Sequence, residues 1–470
     1  MKCFAPAHII TTLATLLATA AALSIQSSQV EAVSNNHNNG DRNDARLTLE
    51  KTWTISSAEQ LQSLLVGIPG NVFVEYDAAL KQSASDVVAK IVVRGDSREL
   101  VDVFEVVPRN TATTRRGHGR QEQQSTREDS VRMHLKNTDA TVHGHVLTQI
   151  FVADKSVLCN LSAASTHDVV IGESVLASNG VGAAVSLSVA GSGTLFVSSS
   201  QDVVVEALTL SVAGSGEVQI VAPSVRAADD VTLSIAGSGR ITVDARDVAA
   251  EKLETSLTGS GDISVQSDEL RVYNLMSKVA GSGAVNLSKS GACTHQKVSI
   301  AGSGSVATGS VVCESTDVSI SGRGEATVQT TDTLIVSTIA SGSVKYVNSR
   351  PKKVQQSSLF AHGSLVSQAE KNEFKTHTTV PTPSHSAVEI RLELRKNAHS
   401  EDPSVHNSQT AALSTDATTT LAASPASASQ AGNDAVGPVV GIAGVALVAV
   451  GALVHKHHQQ HKREEYAPLV

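Results

Sequence analysis

Aromatic residues are scarce in this sequence of 470 residues: they make up 3% of it, and Trp53 is the single tryptophan. Aromatic side chains supply much of the buried area of globular cores and much of the contact area of binding sites. Their scarcity argues against an ordinary globular enzyme. It argues equally against a sugar-binding groove built on aromatic platforms.

Positive charge is not in excess, because 37 lysines and arginines stand against 45 acidic residues and the net charge is −8. A protein that binds nucleic acid normally carries a basic face that neutralises phosphates. The sequence therefore predicts no nucleic acid partner, and we also expect no bound cofactor.

Long hydrophobic runs are confined to the two ends of the chain. Residues 1–23 combine Lys2 with a short apolar stretch and an alanine-rich cleavage site, which is typical of a secretory signal peptide. An uncleaved anchor is the alternative, but the apolar stretch is short for a bilayer. Residues 435–454 hold no charged side chain, and a helix of that length spans about 30 Å of hydrocarbon.

The segment that follows this second run, 455–470, begins with basic residues, as expected on the cytoplasmic side of a membrane. The sequence thus predicts one C-terminal transmembrane helix and a single-pass type I protein of the plasma membrane, with its bulk at the cell surface. A lipid-anchor signal is the alternative, but its apolar tail would end the chain.

Composition divides the remainder of the chain. Residues 24–46 form a polar, asparagine-rich lead that we expect to be disordered. Residues 47–395 are predicted to fold as the ectodomain, with a surface loop at 109–130 that is almost free of aliphatic side chains. Residues 396–434 are rich in serine, threonine, alanine and proline, which resembles an O-glycosylated stalk.

The most regular feature is a Gly-Ser-Gly corner that recurs within residues 185–346. Its second glycines, counted with a Gly-Arg-Gly variant and a degraded last copy, are separated by 23, 23, 22, 22, 21, 20 and 18 residues. Self-similarity at this period is typical of a solenoid. The predicted corner glycines are Gly191, Gly193, Gly214, Gly216, Gly237, Gly239, Gly259, Gly261, Gly281, Gly283, Gly302, Gly304, Gly322 and Gly324.

Each copy carries two arms in which apolar and polar residues alternate, which indicates strands. A third apolar position follows the corner in every copy, at Val203, Val225, Val248, Leu270, Cys293, Cys313 and Leu334. Three strands per copy predict an all-β fold, a parallel β-helix with coils of 18 to 23 residues. The crossover rule predicts that it is right-handed.

Glycine is expected at every corner if neighbouring coils stack about 4.8 Å apart, because the backbone then needs positive φ and leaves no room for side chains. A serine between the glycines could bond along the stack. The alternative is an antiparallel meander in which each corner is a hairpin turn. That arrangement has no use for the third apolar position.

The reiterated L-x-V-A-G-S-G-x-V-x-V units, at 187–197, 210–220 and 233–243, resemble those of the putative auto-transporter adhesin, head GIN domain family. The similarity extends over roughly 60–350 and includes a strand pair at 71–77 and 89–96. The resemblance implies a β-helical surface domain with an adhesin-like role and no catalytic residue to carry over. The charged loop and the anchored C-terminus depart from the family.

Cys293 and Cys313 occupy the same position in adjacent coils, where Cα atoms about 5 Å apart would permit a disulfide. An oxidising compartment favours the bridge. Two buried thiols that pack as small apolar groups are the alternative. Cys159 is left without an assigned partner.

Three short motifs give further candidate sites. Asn160 and Asn286 each begin an Asn-x-Ser acceptor for N-glycosylation, and Asn286 is predicted to point outward because its neighbours face inward. Arg94-Gly95-Asp96 matches an integrin-binding tripeptide, a match that commonly arises by chance. In the predicted tail, Tyr466 and Leu469 fit a signal that is read by cytoplasmic sorting adaptors.

Catalysis finds little support in the repeats. A glycoside hydrolase needs two converging carboxylates. The acidic residues of the repeat region are instead scattered one at a time along the sequence. Glu217 and Asp262 share the position after the second glycine, but Arg240 lies between them, which indicates a tolerant surface position. We therefore expect a non-enzymatic, membrane-anchored, adhesin-like or structural protein whose partner is an extracellular protein or glycan. A β-helical enzyme acting on cell-wall polysaccharide is the alternative.

Overall fold

The structure, a computed structural model, describes residues 23–33, 46–84, 86–113, 126–178, 182–287, 289–358, 365–371 and 377–396. These residues form strands almost throughout, with two short helices. The fold is all-β, as predicted, and most of it is a parallel solenoid.

The first part of the fold contains the initial layers of the solenoid and packs other short strands and both helices against them. Its elements are β1 (Ser24–Ser27), β2 (Glu31–Ala32), β3 (Leu49–Ser56), β4 (Ser63–Val66), β5 (Asn71–Tyr76), α1 (Leu80–Ser83), β6 (Val87–Gly95), α2 (Arg98–Asp102), β7 (Phe104–Thr113), β8 (Thr126–Leu135) and β9 (Ala140–Val152). The initial layers are β4, β5, β8 and β9.

The repeats and the segment after them supply the remaining strands. These are β10 (Asn160–Ala163), β11 (Val169–Ile171), β12 (Ala184–Gly191), β13 (Thr194–Ser198), β14 (Val203–Val205), β15 (Ala207–Gly214), β16 (Glu217–Ala227), β17 (Asp230–Gly237), β18 (Arg240–Gly259), β19 (Asp262–Gly281), β20 (Ala284–Leu287), β21 (Gly291–Gly302), β22 (Ser305–Gly322), β23 (Glu325–Ile339), β24 (Ser343–Val347), β25 (Lys353–Ser358), β26 (Val366–Ala369) and β27 (Val388–Leu394).

Successive coils pair in parallel, so the hairpin alternative is wrong. The arm before the corner stacks from β8 through β4, β10, β12, β15 and β17 and onward to β25. The arm after the corner stacks from β9 through β5, β11 and β13 to β26. Antiparallel pairing is found where β3 and β9 flank β6, and between β7 and β8.

The corners lie in register from coil to coil. Gly214, for example, is paired with Gly191 on one side and Gly237 on the other. The first glycine of each Gly-x-Gly corner has φ between 121° and 132°, a region that favours glycine. The second glycine has ordinary φ but no space: a Cβ on Gly239 would lie 2.4 Å from the Gly216 carbonyl oxygen. The two glycines are therefore required for different reasons.

Backbone groups make the bonds along the stack of corners. The N–H groups of Ser238 and Gly239 both donate to the Gly214 carbonyl oxygen, at 3.0 Å each. The next coil repeats this pattern at Ser260 and Gly261. The serine thus bonds along the stack through its main chain, while its side chain is exposed.

The interior consists of aliphatic columns, one residue per coil. The column two residues before the first glycine is buried at every level: Val189, Val212, Ile235, Leu257, Val279, Ile300 and Ile320. Burying each such side chain contributes about 1.5–3 kcal/mol. The repeats accordingly stabilise one another, and none needs to close a core alone.

The third apolar column was only partly predicted correctly. Val203, Val225, Val248 and Leu270 do stack. Leu270 is then followed by Gly291, whereas Cys293 and Cys313 continue the column of Val272. Leu334 lies in the next arm, opposite Thr316. The later coils are shorter, so counting residues from the glycine assigns the wrong column there.

Several predicted boundaries need correction. Part of the lead expected to be disordered is ordered, since β1 and β2 both pair with β3. β7 and β8 extend into the predicted loop at 109–130 and leave 114–125 between them. The predicted pair at 71–77 and 89–96 is not a direct pair, because β9 lies between β5 and β6.

The C-terminal segment of the described fold returns along the outside of the solenoid. We call residues 377–387 the strap. Gln266 of β19 donates to the His377 carbonyl at 2.6 Å, and Gln219 of β16 bonds both backbone groups of Val380. β27 then pairs antiparallel with β9. The strap thus runs from the middle coils back to the first coils.

Within the described residues no helix is long and apolar enough to cross a membrane. The predicted transmembrane helix at 435–454, the tail at 455–470 and all of the predicted signal peptide at 1–23 except Leu23 lie outside those residues. The same holds for nearly all of the predicted stalk.

Candidate functional site

The outer surface of the arm before the corner is a regular array of small polar side chains, which we call the open face. Its central column is serine in nine coils and lysine in one. The column, read along the stack, is Ser162, Ser188, Ser211, Ser234, Ser256, Lys278, Ser299, Ser319, Ser337 and Ser357. These side chains are half-buried or exposed.

Two flanking columns complete the open face. Next to the corner stand mostly alanines, such as Ala213 and Ala236. On the other side lie Thr209 and Thr232, followed by the charged Glu254. Parallel strands set coils about 4.8 Å apart. The open face therefore presents hydroxyl groups at a fixed repeat on a rigid backbone.

One ion-pair cluster interrupts the array. The Glu254 carboxylate accepts hydrogen bonds from Lys252 at 2.7 Å and from Lys278 at 2.6 Å. These bonds, the one from Lys252 first, hold the pKa of Glu254 below its usual value against the effect of burial. Lys278, which stands at a position where the other coils have serine, is thereby held on the surface by Glu254.

The arm after the corner presents a different surface, which we call the covered face. Its outward side chains Gln219, Thr242, Ser264 and Asn286 are at most 3% exposed, although they point away from the aliphatic interior. At its start Phe73 stacks on the ring of His385 of the strap, with ring centroids 4.1 Å apart. The same His385 lies 2.8 Å from a Glu75 carboxylate oxygen. The strap thus occupies part of this face.

The position after the second glycine forms the charged column expected from the sequence. Glu217, Arg240 and Asp262 are in register, and Arg240 lies 3.6 Å from Glu217. Burial raises the pKa of the Glu217 carboxyl, while the charges of Arg240 and His377 act against this rise. Arg240 separates the two carboxylates, so they do not form an acid–base pair.

A second carboxylate cluster was missed by the sequence analysis. Asp247 is 8% exposed and lies opposite Glu269 of the next coil. Arg271 donates to both carboxylates at 2.8 Å, and Arg226 donates to Asp247 at 2.7 Å. These groups line a shallow depression of about 380 Å³. The expectation that acids in the repeats stand singly is therefore wrong here; the signal was an acid at matching positions of two coils.

Arg271 bridges the Asp247 and Glu269 carboxylates, and Arg226 pairs with Asp247 as well. A hydrolytic pair needs room for water or a sugar between its two acids. Among the described residues no group of three or more His, Cys, Asp or Glu side chains is arranged to hold a metal ion.

Cys293 and Cys313 are in register in β21 and β22, with Cα atoms 4.5 Å apart, and a disulfide bond joins them. Both are buried, at 7% and 0% exposure. Cys159 is half-buried and its sulfur lies 3.5 Å from the Val157 carbonyl oxygen.

The two glycosylation candidates differ in their surroundings. Asn160 lies half-buried in β10. Asn286 points away from the interior, as predicted, but it is 3% exposed and its Nδ2 is buried. The folded chain has no space for a glycan at that atom, so the prediction for Asn286 needs correction.

The integrin-type tripeptide is built into the sheet. Arg94 contacts Glu50 and Gln149, at 3.3 and 3.0 Å. Asp96 accepts hydrogen bonds from the backbone and the ring of His145. Both side chains therefore make their polar contacts within the folded chain. Tyr466 and Leu469 lie outside the described residues.

The family resemblance is confirmed over part of the chain. The model of the family "putative auto-transporter adhesin, head GIN domain" matches residues 224–349. This range contains most of the corners and part of the open face. The expected extension of the similarity upstream to about residue 60 is not matched. No curated protein sequence matches the chain.

Solved structures give weak superpositions. A putative adhesin from Parabacteroides distasonis is 14% identical, with 68% of this chain and 96% of that chain covered and a TM-score of 0.31. A putative adhesin from Parabacteroides merdae gives 13% identity, coverage of 68% and 96%, and 0.29. A putative lipid binding protein from Parabacteroides distasonis gives 15%, 68% and 97%, and 0.33. Scores this low add nothing to the fold described above.

Proposed function

We propose that this chain, whose residues 224–349 match the head GIN family, is an adhesin-like binding protein displayed at a cell surface. The open face is its binding surface, and the partner is an extracellular protein or glycan. No catalytic step belongs to this function. The solenoid serves as the rigid support of the array.

The observation that supports this proposal is the serine column in register over ten coils, with one lysine. A hydroxyl group both donates and accepts hydrogen bonds. Serine loses little side-chain entropy on binding, because it has few rotatable bonds. Many weak, evenly spaced contacts suit a partner that itself repeats, since linked contacts add avidity.

Features predicted from the sequence complete the proposal. A cleaved signal peptide at 1–23 directs the chain to the secretory pathway, and the helix at 435–454 anchors it as a single-pass type I plasma membrane protein. The segment 396–434 is a glycosylated stalk, and Asn160 carries an N-glycan. Tyr466 and Leu469 recruit a cytoplasmic sorting adaptor, and the solenoid is right-handed.

The test is binding of cells that display the full chain to arrays of glycans and surface proteins. Ser234→Arg places a bulky charge in the middle of the open face, and we expect a fall in binding of about tenfold or more. Gln201→Arg makes the same charge change at an exposed turn away from that face and should leave binding unchanged. Equal binding by both variants would contradict the open-face site.

The same preparation distinguishes the enzymatic alternative. A β-helical enzyme would release reducing or unsaturated sugar products from cell-wall polysaccharide. Its activity would depend on one carboxylate, with Asp247→Asn as the first variant to examine. Product release that Asp247→Asn abolishes would replace the binding proposal by the enzymatic one.

A further inference from the structure

The last coils of the solenoid carry a charge opposite to that of the whole chain. The chain has a net charge of −8, yet residues 323–371, which end just after β26, hold six lysines and arginines and three acidic side chains. The basic residues are Arg323, Lys345, Arg350, Lys352, Lys353 and Lys371, and the acidic ones are Glu325, Asp332 and Glu370.

Three of these cations lie in one turn between β24 and β25, residues 348–353, which we call the basic turn. Arg350, Lys352 and Lys353 are exposed. The turn has a defined shape, because Asn348 has φ of 61° and Pro351 is buried. Positive groups are therefore held together at one place at the end of the solenoid.

The three acids neutralise this charge only in part. Glu370 follows β26, whose Ala369 pairs with Val347 beside the basic turn, and the adjacent Lys371 balances its charge. Lys345 pairs with Glu325 at 2.5 Å. Lys352 lies 3.2 Å from Asp332, and both side chains are more than half exposed, at 79% and 57%. An ion pair this exposed is weak. A ligand anion can displace Asp332 at small cost, which leaves Arg350, Lys352 and Lys353 to face it together.

The position of the basic turn follows from the path of the strap. β27 pairs with β9, in the first layer of the second arm, so the chain leaves the fold at the start of the solenoid. From β9 to β26 the layers are stacked in an unbroken series. At about 4.8 Å per layer the last coil lies on the order of 50 Å from the exit.

We infer that the basic turn is a second binding site, at the end of the solenoid opposite the chain exit, and that it takes an anionic polysaccharide bearing sulfate or carboxylate groups. The cell-surface display of the proposed function brings such a polysaccharide within reach, whereas the charge of the turn does not depend on that proposal. Lysine and arginine donate several hydrogen bonds to such anions.

The test uses the full-length chain in detergent, with heparin as a sulfated polysaccharide and dextran as a neutral one. We expect retention on heparin, elution by salt, and no retention on dextran, because salt screens exposed charges. Lys352→Glu with Lys353→Glu should weaken heparin binding about tenfold or more. The matched control, Arg132→Glu with Lys155→Glu, reverses two exposed cations near the chain exit and should bind as the wild type does.

Two results would overturn the inference: heparin binding that survives in the Lys352→Glu/Lys353→Glu chain, or an equal loss in the control. Equal or tighter binding to vesicles of anionic phospholipid would do so as well. Thermal melting of each variant shows whether it is folded. Failure of the open-face proposal would give a different result. The Ser234→Arg chain would then keep full cell binding, while the wild type would still bind heparin and the Lys352→Glu/Lys353→Glu chain would still lose that binding.

Discussion

At the scale of single residues, the two glycines of each corner are required for different reasons, one for its backbone conformation and one for its lack of a side chain. Gly237 has φ of 132°, whereas Gly239 needs only the absence of a Cβ, which would lie 2.5 Å from a Val212 methyl group. The last corner shows what happens without the first glycine. Ala340 stands in its place and has φ of 84°.

Substitutions at these two positions are predicted to change the free energy of unfolding in opposite directions. Gly239→Ala should lower the free energy of unfolding by about 1–3 kcal/mol, the usual cost of overpacking. Ala340→Gly should raise it by on the order of 0.5 kcal/mol, because relief of positive φ is offset in part by glycine's entropy. Denaturant unfolding of both variants measures the two effects. The same sign in both would contradict the roles assigned here.

Glu217 gives a prediction of pH dependence. Burial raises the pKa of its carboxyl in the folded chain, so this group favours folding when protonated. That contribution is complete below the unfolded pKa and is lost as pH rises through the higher folded value. Glu217→Gln should therefore increase the melting temperature more at pH 7 than at pH 3.5. Asp262→Asn, in the same column, serves as the control, and a gain that does not change with pH would contradict the assignment.

At the scale of elements, one amide side chain holds the middle of the strap. Gln219 donates to the Val380 carbonyl and accepts from its N–H, both at 2.8 Å. Gln219→Leu removes both bonds. We expect hydrogen exchange at the Val380 amide to accelerate about tenfold, the equivalent of 1.4 kcal/mol. Gln219→Glu retains the acceptor for that N–H and should show a smaller change. Unaltered exchange in Gln219→Leu would show that the strap is held elsewhere.

The sequence predicted those elements whose signal is local and repeated. Period-2 alternation gave the strands, and the spacing of glycines gave the stacking of their corners. It could not predict the strap, because Pro381 and Pro383 interrupt any strand pattern and the partner Gln219 is 161 residues away. The burial of Asn286 and the shifted column of Cys293 likewise depend on contacts with other coils or segments. Alternation alone says which side a residue faces, and the covered face shows that facing outward is not the same as being exposed.

At the scale of the whole molecule, the solenoid divides its surfaces by position. The covered face is partly occupied by the strap, the open face carries the hydroxyl array, and the basic turn lies at the far end from the chain exit. Each of these assignments depends on parallel coils in register. A different pairing of the arms would place the serines of neighbouring copies apart.

Cysteine cross-linking tests that pairing most directly. Ser211 and Ser234 are in register in adjacent coils, whereas Ser211 and Gln219 flank one corner and would oppose each other in a hairpin. In a Cys159→Ser chain, we expect Ser211→Cys with Ser234→Cys to oxidise readily to an intramolecular disulfide. The Cα atoms of paired residues in adjacent coils lie within disulfide distance. Ser211→Cys with Gln219→Cys should remain reduced, as shown by peptide mapping under mass spectrometry. A disulfide in the second pair and none in the first would contradict the stacked solenoid.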